Sequence, residues 1–249
     1  MHGDGLRYVR TAALVVLLAV PASRASGNED IIQTGRLLAI LLDSGRITIG
    51  NNQSLINDPA KGYKGFTAEV FEQQLLDAFQ ARTSIDLHNM SQAPVPEIAK
   101  PLLARLIEES KKTVASYQPA INVAGLKYKG LIPATFGTET AARFRAWSGV
   151  YIKQTAPDGL LRNPKNKPDE FEAMMFQKLG QNGDNDRDHI VSETIDGQSV
   201  RILLPLFYTR ACLGCHGEPK GERDISGYPK EGGRDGQLAG AISVKIDVK

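Results

Sequence analysis

The pattern of apolar and polar positions divides the chain into three regimes. The first is an unbroken apolar run, Thr11 to Val20 (TAALVVLLAV), preceded by Arg7 and Arg10 and followed by Pro21-Ala22-Ser23-Arg24-Ala25. A positive start, an apolar stretch and a small-residue tail make up a secretory signal. Coiled as a helix, the run rises only about 15 Å, half a bilayer core, too little for a permanent span. Residues 1–25 are therefore expected to be a signal peptide. The remaining chain is expected to be exported or periplasmic with no stable membrane span, because no later run approaches about 18 apolar residues.

The second regime has helical periodicity. Ile31 to Asp43 predicts a helix through Leu37, Leu38, Ile40, Leu41 and Leu42. Tyr63-Lys64-Gly65, Phe71, Phe79 and Ala81 then recur as Tyr128-Lys129-Gly130, Phe136, Phe144 and Ala146, each 65 positions later. Phe71, Leu75 and Phe79 lie at i, i+4, i+8 on one stripe, as do Phe136, Thr140 and Phe144. The echo predicts a duplicated half-domain with its aromatic stripes in the core. Each copy reads as a glycine loop, an amphipathic helix and a strand start, at Ser84-Ile85-Asp86-Leu87 and Gly149-Val150-Tyr151-Ile152. Between them, Pro94 to Tyr117 predicts a long helix beginning near Pro96 or Pro101. Leu102, Leu103, Leu106, Ile107 and Val114 form its apolar side, with Glu108, Glu109, Lys111 and Lys112 opposite.

In the third regime the period falls to two. Pro168-Asp169-Glu170 opens a short helix with Phe171, Met175 and Leu179 on one stripe, closed by Gly180. Ile190 to Thr194 and Ser199 to Tyr208 then flank Ile195-Asp196-Gly197-Gln198, whose Asp-Gly pair signals a hairpin. Ile242, Val244, Ile246 and Val248 alternate with Ser243, Lys245 and Asp247, and Pro205 predicts an edge or bulge. Helices followed by an antiparallel sheet give an α+β fold.

Composition adds little beyond exclusions. With 41% hydrophobic and 23% charged residues in 249 positions, the chain is neither disordered nor a multi-span membrane protein. The formal charge of +2 resides in the leader, where Arg7, Arg10 and Arg24 outnumber Asp4. Subtracting those groups from 30 basic and 28 acidic leaves 27 of each, so electrostatics give no case for nucleic acid or an anionic membrane as partner.

Only two cysteines occur, Cys212 and Cys215, too few for a disulfide framework. Cys212-Leu213-Gly214-Cys215-His216 has the spacing of c-type haem attachment. Two thiols three positions apart can each add to a vinyl group on one porphyrin edge, and the next residue's imidazole is then held beneath the ring to ligate iron. A thioredoxin-like pair, a zinc site and a plain disulfide compete. The first wants a βαβ setting, the second lacks further cysteines, and the third is strained. The export signal favours haem c, which is attached after secretion. For the sixth iron position the candidates are His88, His189, Met90, Met174 and Met175, with lysine a further option; an open site fits equally well. Asp184, Asp186 and Asp188 alternate as in a calcium loop. His189, however, stands where that loop needs glycine, and Ile195 where it needs glutamate.

These residues resemble a family. The blocks Leu161-Arg162-Asn163-Pro164-Lys165-Asn166-Lys167-Pro168-Asp169-Glu170-Phe171-Glu172, Ala211-Cys212-Leu213-Gly214-Cys215-His216-Gly217, Gly227-Tyr228 and Leu238-Ala239-Gly240-Ala241-Ile242-Ser243-Val244 are similar to the Tll-type periplasmic single-haem c-type family, over about Gln118 to Val248. The resemblance implies a PAS-like antiparallel sheet with flanking helices and one covalent haem. Residues 118–249 would form the haem domain, and 26–117 a helical extension holding a degenerate first repeat. It makes Cys212 and Cys215 the thioether pair and His216 the proximal ligand. Some relatives place a cysteine thiolate opposite, after an Ala-Ile pair. Here Ala120-Ile121-Asn122-Val123-Ala124 puts alanine there, and no third cysteine exists.

Relatives of this kind are suspected redox or gas sensors, which makes a redox partner, a membrane sensor protein or a small gas the expected partner of this chain. A one-electron carrier with a filled sixth site is the alternative. A haem enzyme such as a peroxidase would need a distal acid–base group, and nothing in the sequence assigns one.

Overall fold

A computed structural model describes residues 22–182, 190–195 and 197–248. The apolar run and its arginine flank lie outside these residues, as do His189 and the Asp184–Asp188 loop. Helix α1 (Ala22–Asn51) leads through the one-turn α2 (Gln53–Ile56) to α3 (Ala68–Thr83). Helices α4 (Ala99–Ser116), α5 (Gln118–Ile121) and α6 (Pro133–Ser148) repeat that order. Strand β1 (Tyr151–Thr155), α7 (Glu170–Asn182), β2 (Val191–Ile195), β3 (Ser199–Phe207), the one-turn α8 (Leu213–His216) and β4 (Leu238–Asp247) complete the chain. The four strands form one antiparallel sheet in the order β1-β4-β3-β2. The α+β class, the helix-flanked antiparallel sheet and the N-terminal helical segment agree with expectation. Among the described residues, no helix is long and apolar enough to cross a membrane.

The duplication reaches further than its aromatic markers. Counting back 65 positions pairs α4 with α1 and α5 with α2, and the two copies grip each other reciprocally. The Lys64 amide donates to Asn122 Oδ1 at 2.9 Å and the Lys129 amide to Asn57 Oδ1 at 3.1 Å. Gln53 Nε2 donates to the Leu131 carbonyl and Gln118 Nε2 to the Phe66 carbonyl, each at 2.9 Å. Both lysines of the repeated Tyr-Lys-Gly triplet are buried, their ammonium groups donating to loop carbonyls, Lys64 to Asp58 and Lys61, Lys129 to Val123. Phe71, Phe79, Phe136 and Phe144 are all fully buried, with Phe71 and Phe136 rings 5.2 Å apart between the copies.

One expectation about the copies fails. Ser84 to Leu87 forms no strand, whereas its counterpart opens β1. Strand β1 has β4 to pair with, and the first copy has no such neighbour among the described residues, although Leu87, like its counterpart Ile152, is buried in the core.

Helix α1 covers one face of the sheet, meeting Ile202, Leu204, Ile242 and Val244 in a single continuous core. A Cβ on Gly35 would lie 2.6 Å from Ile202 Cγ1, so α1 approaches the sheet closely only because that position is bare. Helix α7 covers the other face, with Met175 and Phe176 against Leu203 and Ala241. That second cover explains why Ser243, on the polar face of the alternation, is buried and accepts from Arg201 Nη2 at 3.1 Å. Helix α7 also runs through Gly180 to Asn182 instead of ending at the glycine. Glu109, on the side opposite the apolar stripe, is nonetheless 4% exposed and is paired with Arg105 and Lys112. Pro205 sits where β3 has run past the end of β2, so its missing N–H costs no ladder bond on that side.

Candidate functional site

The Cys212–His216 segment begins where β3 ends. A register shift between Leu206 and Phe207 turns the strand out, and Tyr208 is pinned through its amide to the Gln237 carbonyl and through its carbonyl to the Gly236 amide. Thr209 then caps a 3₁₀ turn, Arg210–Cys212, with reciprocal contacts to the Cys212 sulfur at 3.4 Å from its amide and 3.3 Å from its hydroxyl. Helix α8 follows directly, placing Cys212 and Cys215 one turn apart, both as free thiols of intermediate exposure. Burial, then Asp224, pushes the Cys215 thiol up, the opposite of what a nucleophilic redox cysteine needs. The wholly antiparallel sheet offers no βαβ setting either.

His216 is held at Nδ1. Glu231 Oε2 lies 2.9 Å from that nitrogen and the Tyr208 hydroxyl 3.4 Å, with the Tyr208 ring 5.1 Å from the imidazole. The Gly233 amide donates to the His216 carbonyl at 2.7 Å, and a Cβ on Gly233 would stand 2.6 Å from the Tyr208 ring. A bare position is therefore required for this loop to close over the pair. Burial and the neighbouring Arg162 push His216 down, while Glu231 pulls it the other way. Burial and Glu231 push the Tyr208 hydroxyl up to about 12, so it stays neutral. With Nδ1 engaged, Nε2 is the ring nitrogen left for a metal.

Arg162 is the hub. Its Nη2 donates to the Cys215 carbonyl at 2.8 Å and to Glu231 Oε2 at 2.8 Å, its Nη1 to Asp224 Oδ2 at 2.6 Å, and its Nε closes a second contact with Glu231 Oε1. Asp224 Oδ1 meanwhile accepts from the Ser226 amide and hydroxyl and the Tyr228 amide. Burial pushes both carboxyls up, yet these hydrogen bonds hold Asp224 and Glu231 below the usual carboxylate range. One guanidinium thus ties the Arg-Asn-Pro block to the cysteine turn and to the 222–234 loop.

Asp224, Arg162 and Lys230 lie within electrostatic reach of the Cys215 thiol. Tyr128, half-buried, lies within electrostatic reach of Cys215, Asp224 and Tyr228, and burial first and those groups second push its hydroxyl up. On the same two loops Val123, Leu126, Ile225 and Tyr228 are each 44–48% exposed. Two free sulfurs, an imidazole nitrogen left open at Nε2 and exposed apolar side chains on neighbouring loops are compatible with a covalently held porphyrin.

The sixth-ligand candidates are scattered. His88 bonds through Nδ1 to Asp86 and through Nε2 to Gln73, both in the first repeat. Met90 packs on the main core, Met175 is buried under the sheet, and Met174 is exposed. None of these contacts involves the Cys212–His216 turn. Sequence reasoning missed Tyr208, Glu231 and Asp224, and used Arg162 only as part of the Arg-Asn-Pro block. The one available signal was the position of Arg162 in the Arg-Asn-Pro block.

A family model described as Tll0287-like matches residues 72–247, well over half of the chain. The match begins within the first repeat, earlier than the Gln118 start read from the motifs. A search of curated proteins finds no match. Among solved structures, the cyanobacterial heme-protein Tll0287 is similar at 17% identity, over 62% of this chain and 97% of that one, with a TM-score of 0.43.

Proposed function

The chain belongs to the Tll0287-like family, and on that premise we propose that it is an exported single-haem c-type protein acting as a redox or gas sensor module. Cys212 and Cys215 form the thioethers and His216 is the proximal ligand. The observation that carries the reading is the turn itself. It has two free sulfurs one helical turn apart and an adjoining imidazole whose Nδ1 is already occupied by Glu231. The exposed Val123, Leu126, Ile225 and Tyr228 supply apolar cover for a porphyrin. Haem, when bound, supplies one-electron chemistry and an axial position for a small gas. The chain's own residues hold the ring of His216 at Nδ1 and tie Glu231 and Asp224 to one guanidinium. The output passes to a separate redox partner or membrane sensor protein.

The test is the optical spectrum of the ferrous protein, co-produced with haem-maturation machinery, with and without carbon monoxide. A rapid band shift supports the sensor. An unshifted spectrum replaces it with an electron carrier whose sixth site is filled. Colourless protein ends the haem reading altogether.

A further inference from the structure

We propose that Glu231 is a positioning residue for the haem iron, acting through His216 Nδ1 to favour the ferric state; this rests on the haem reading above. The geometry is specific. Glu231 Oε2 is 2.9 Å from Nδ1, and the side chain is 15% exposed, so solvent screens the contact weakly. A carboxylate accepting from the far nitrogen of a ligating imidazole fixes its tautomer and raises the basicity of the other nitrogen. A more basic Nε2 donates more charge to iron and stabilises the higher oxidation state.

Arg162 sets the strength of this effect. It meets both oxygens of Glu231, so the carboxylate is held in register with the ring and part of its charge is withdrawn. The Tyr208 hydroxyl, at 3.4 Å from Nδ1, is too distant to replace it. Gly233 keeps the loop against Tyr208, which leaves Glu231 little freedom to turn away. The arrangement is a graded device, a full carboxylate on the ligand moderated by one cation behind it.

The experiment compares haem-loaded wild type with Glu231→Gln and Glu231→Asp by spectroelectrochemical titration, reading the iron–imidazole stretching band of the ferrous form alongside. Glu231→Gln keeps the side chain's size and removes the charge. It is expected to raise the reduced-to-oxidised ratio at a fixed solution potential about tenfold, equal to about 59 mV for one electron, and to lower the stretching frequency. Glu231→Asp, which keeps the charge, moves both less, and it carries the same comparison if Glu231→Gln fails to load. Variants that bind haem with an unchanged potential and band overturn the proposal. A wild-type chain that never acquires haem overturns the proposed function instead, a separate and recognisable result.

Discussion

Replacing Arg162 with alanine is expected to be among the most damaging single changes in the C-terminal half. The substitution removes the guanidinium paired with Asp224, whose side chain is 1% exposed, and both contacts to Glu231, at 15%. Asp224 Oδ1 keeps its three donors from Ser226 and Tyr228, but Oδ2 loses Arg162 Nη1. Breaking a buried pair from one side costs about 3–5 kcal/mol, because the surviving charge stays desolvated. Arg162 is itself 18% exposed, and water can enter the gap, so the lower end, about 3 kcal/mol, is expected. Urea denaturation of wild type, Arg162→Ala, Asp224→Asn and the double variant provides the assay. In the double variant the charge stranded on Asp224 is gone and only Glu231 stays unpaired, so the two losses should fall short of additive by more than about 1 kcal/mol. A loss below about 1 kcal/mol for Arg162→Ala, additive with Asp224→Asn, would mean that the contacts behave as exposed ion pairs, and the hub would be refuted.

Other consequences are simpler to state. Asp169, Asp224 and Glu231 all have folded-state pKa values below their unfolded ones. Their stabilisation is full above about pH 4 to 5 and lost as pH falls through the folded values, so the melting temperature should drop steeply below about pH 4 and less so in Asp224→Asn. Asn122→Ala and Asn57→Ala each strand one backbone amide of the partner repeat and should cost about 1–3 kcal/mol in thermal unfolding; near-zero effects would argue against the reciprocal clamp. Gly45→Ala puts a Cβ 2.6 Å from the Phe136 ring, and about 1–3 kcal/mol of overpacking is expected, visible as a lowered melting temperature. Cys215→Ala should reduce haem that survives on a denaturing gel, and undiminished staining would contradict the thioether there.

Much was legible from spacing alone. The 65-residue echo identified α3 and α6, the alternation after Ile190 identified the antiparallel strands, and five consecutive residues marked the turn at Cys212. Such features are local, because helix stripes, strand alternation and a short motif are fixed by neighbours within a few positions. What the chain brings together from afar was not legible. Arg162 reads as an ordinary cation until the fold sets it against Glu231, 69 positions on, and Asp224. Ser243 shares a strand face with Lys245 and Asp247 in the sequence, yet α7 covers it, and Glu109 lies opposite the apolar stripe, yet is buried with Arg105 and Lys112 beside it. The repeats' mutual hydrogen bonds likewise needed two loops to meet. The amino-acid order determines periodicity and the cofactor motif. Only the tertiary structure decides which charges are stripped of water together, because desolvation depends on everything packed around a group and on nothing in its own stretch of sequence.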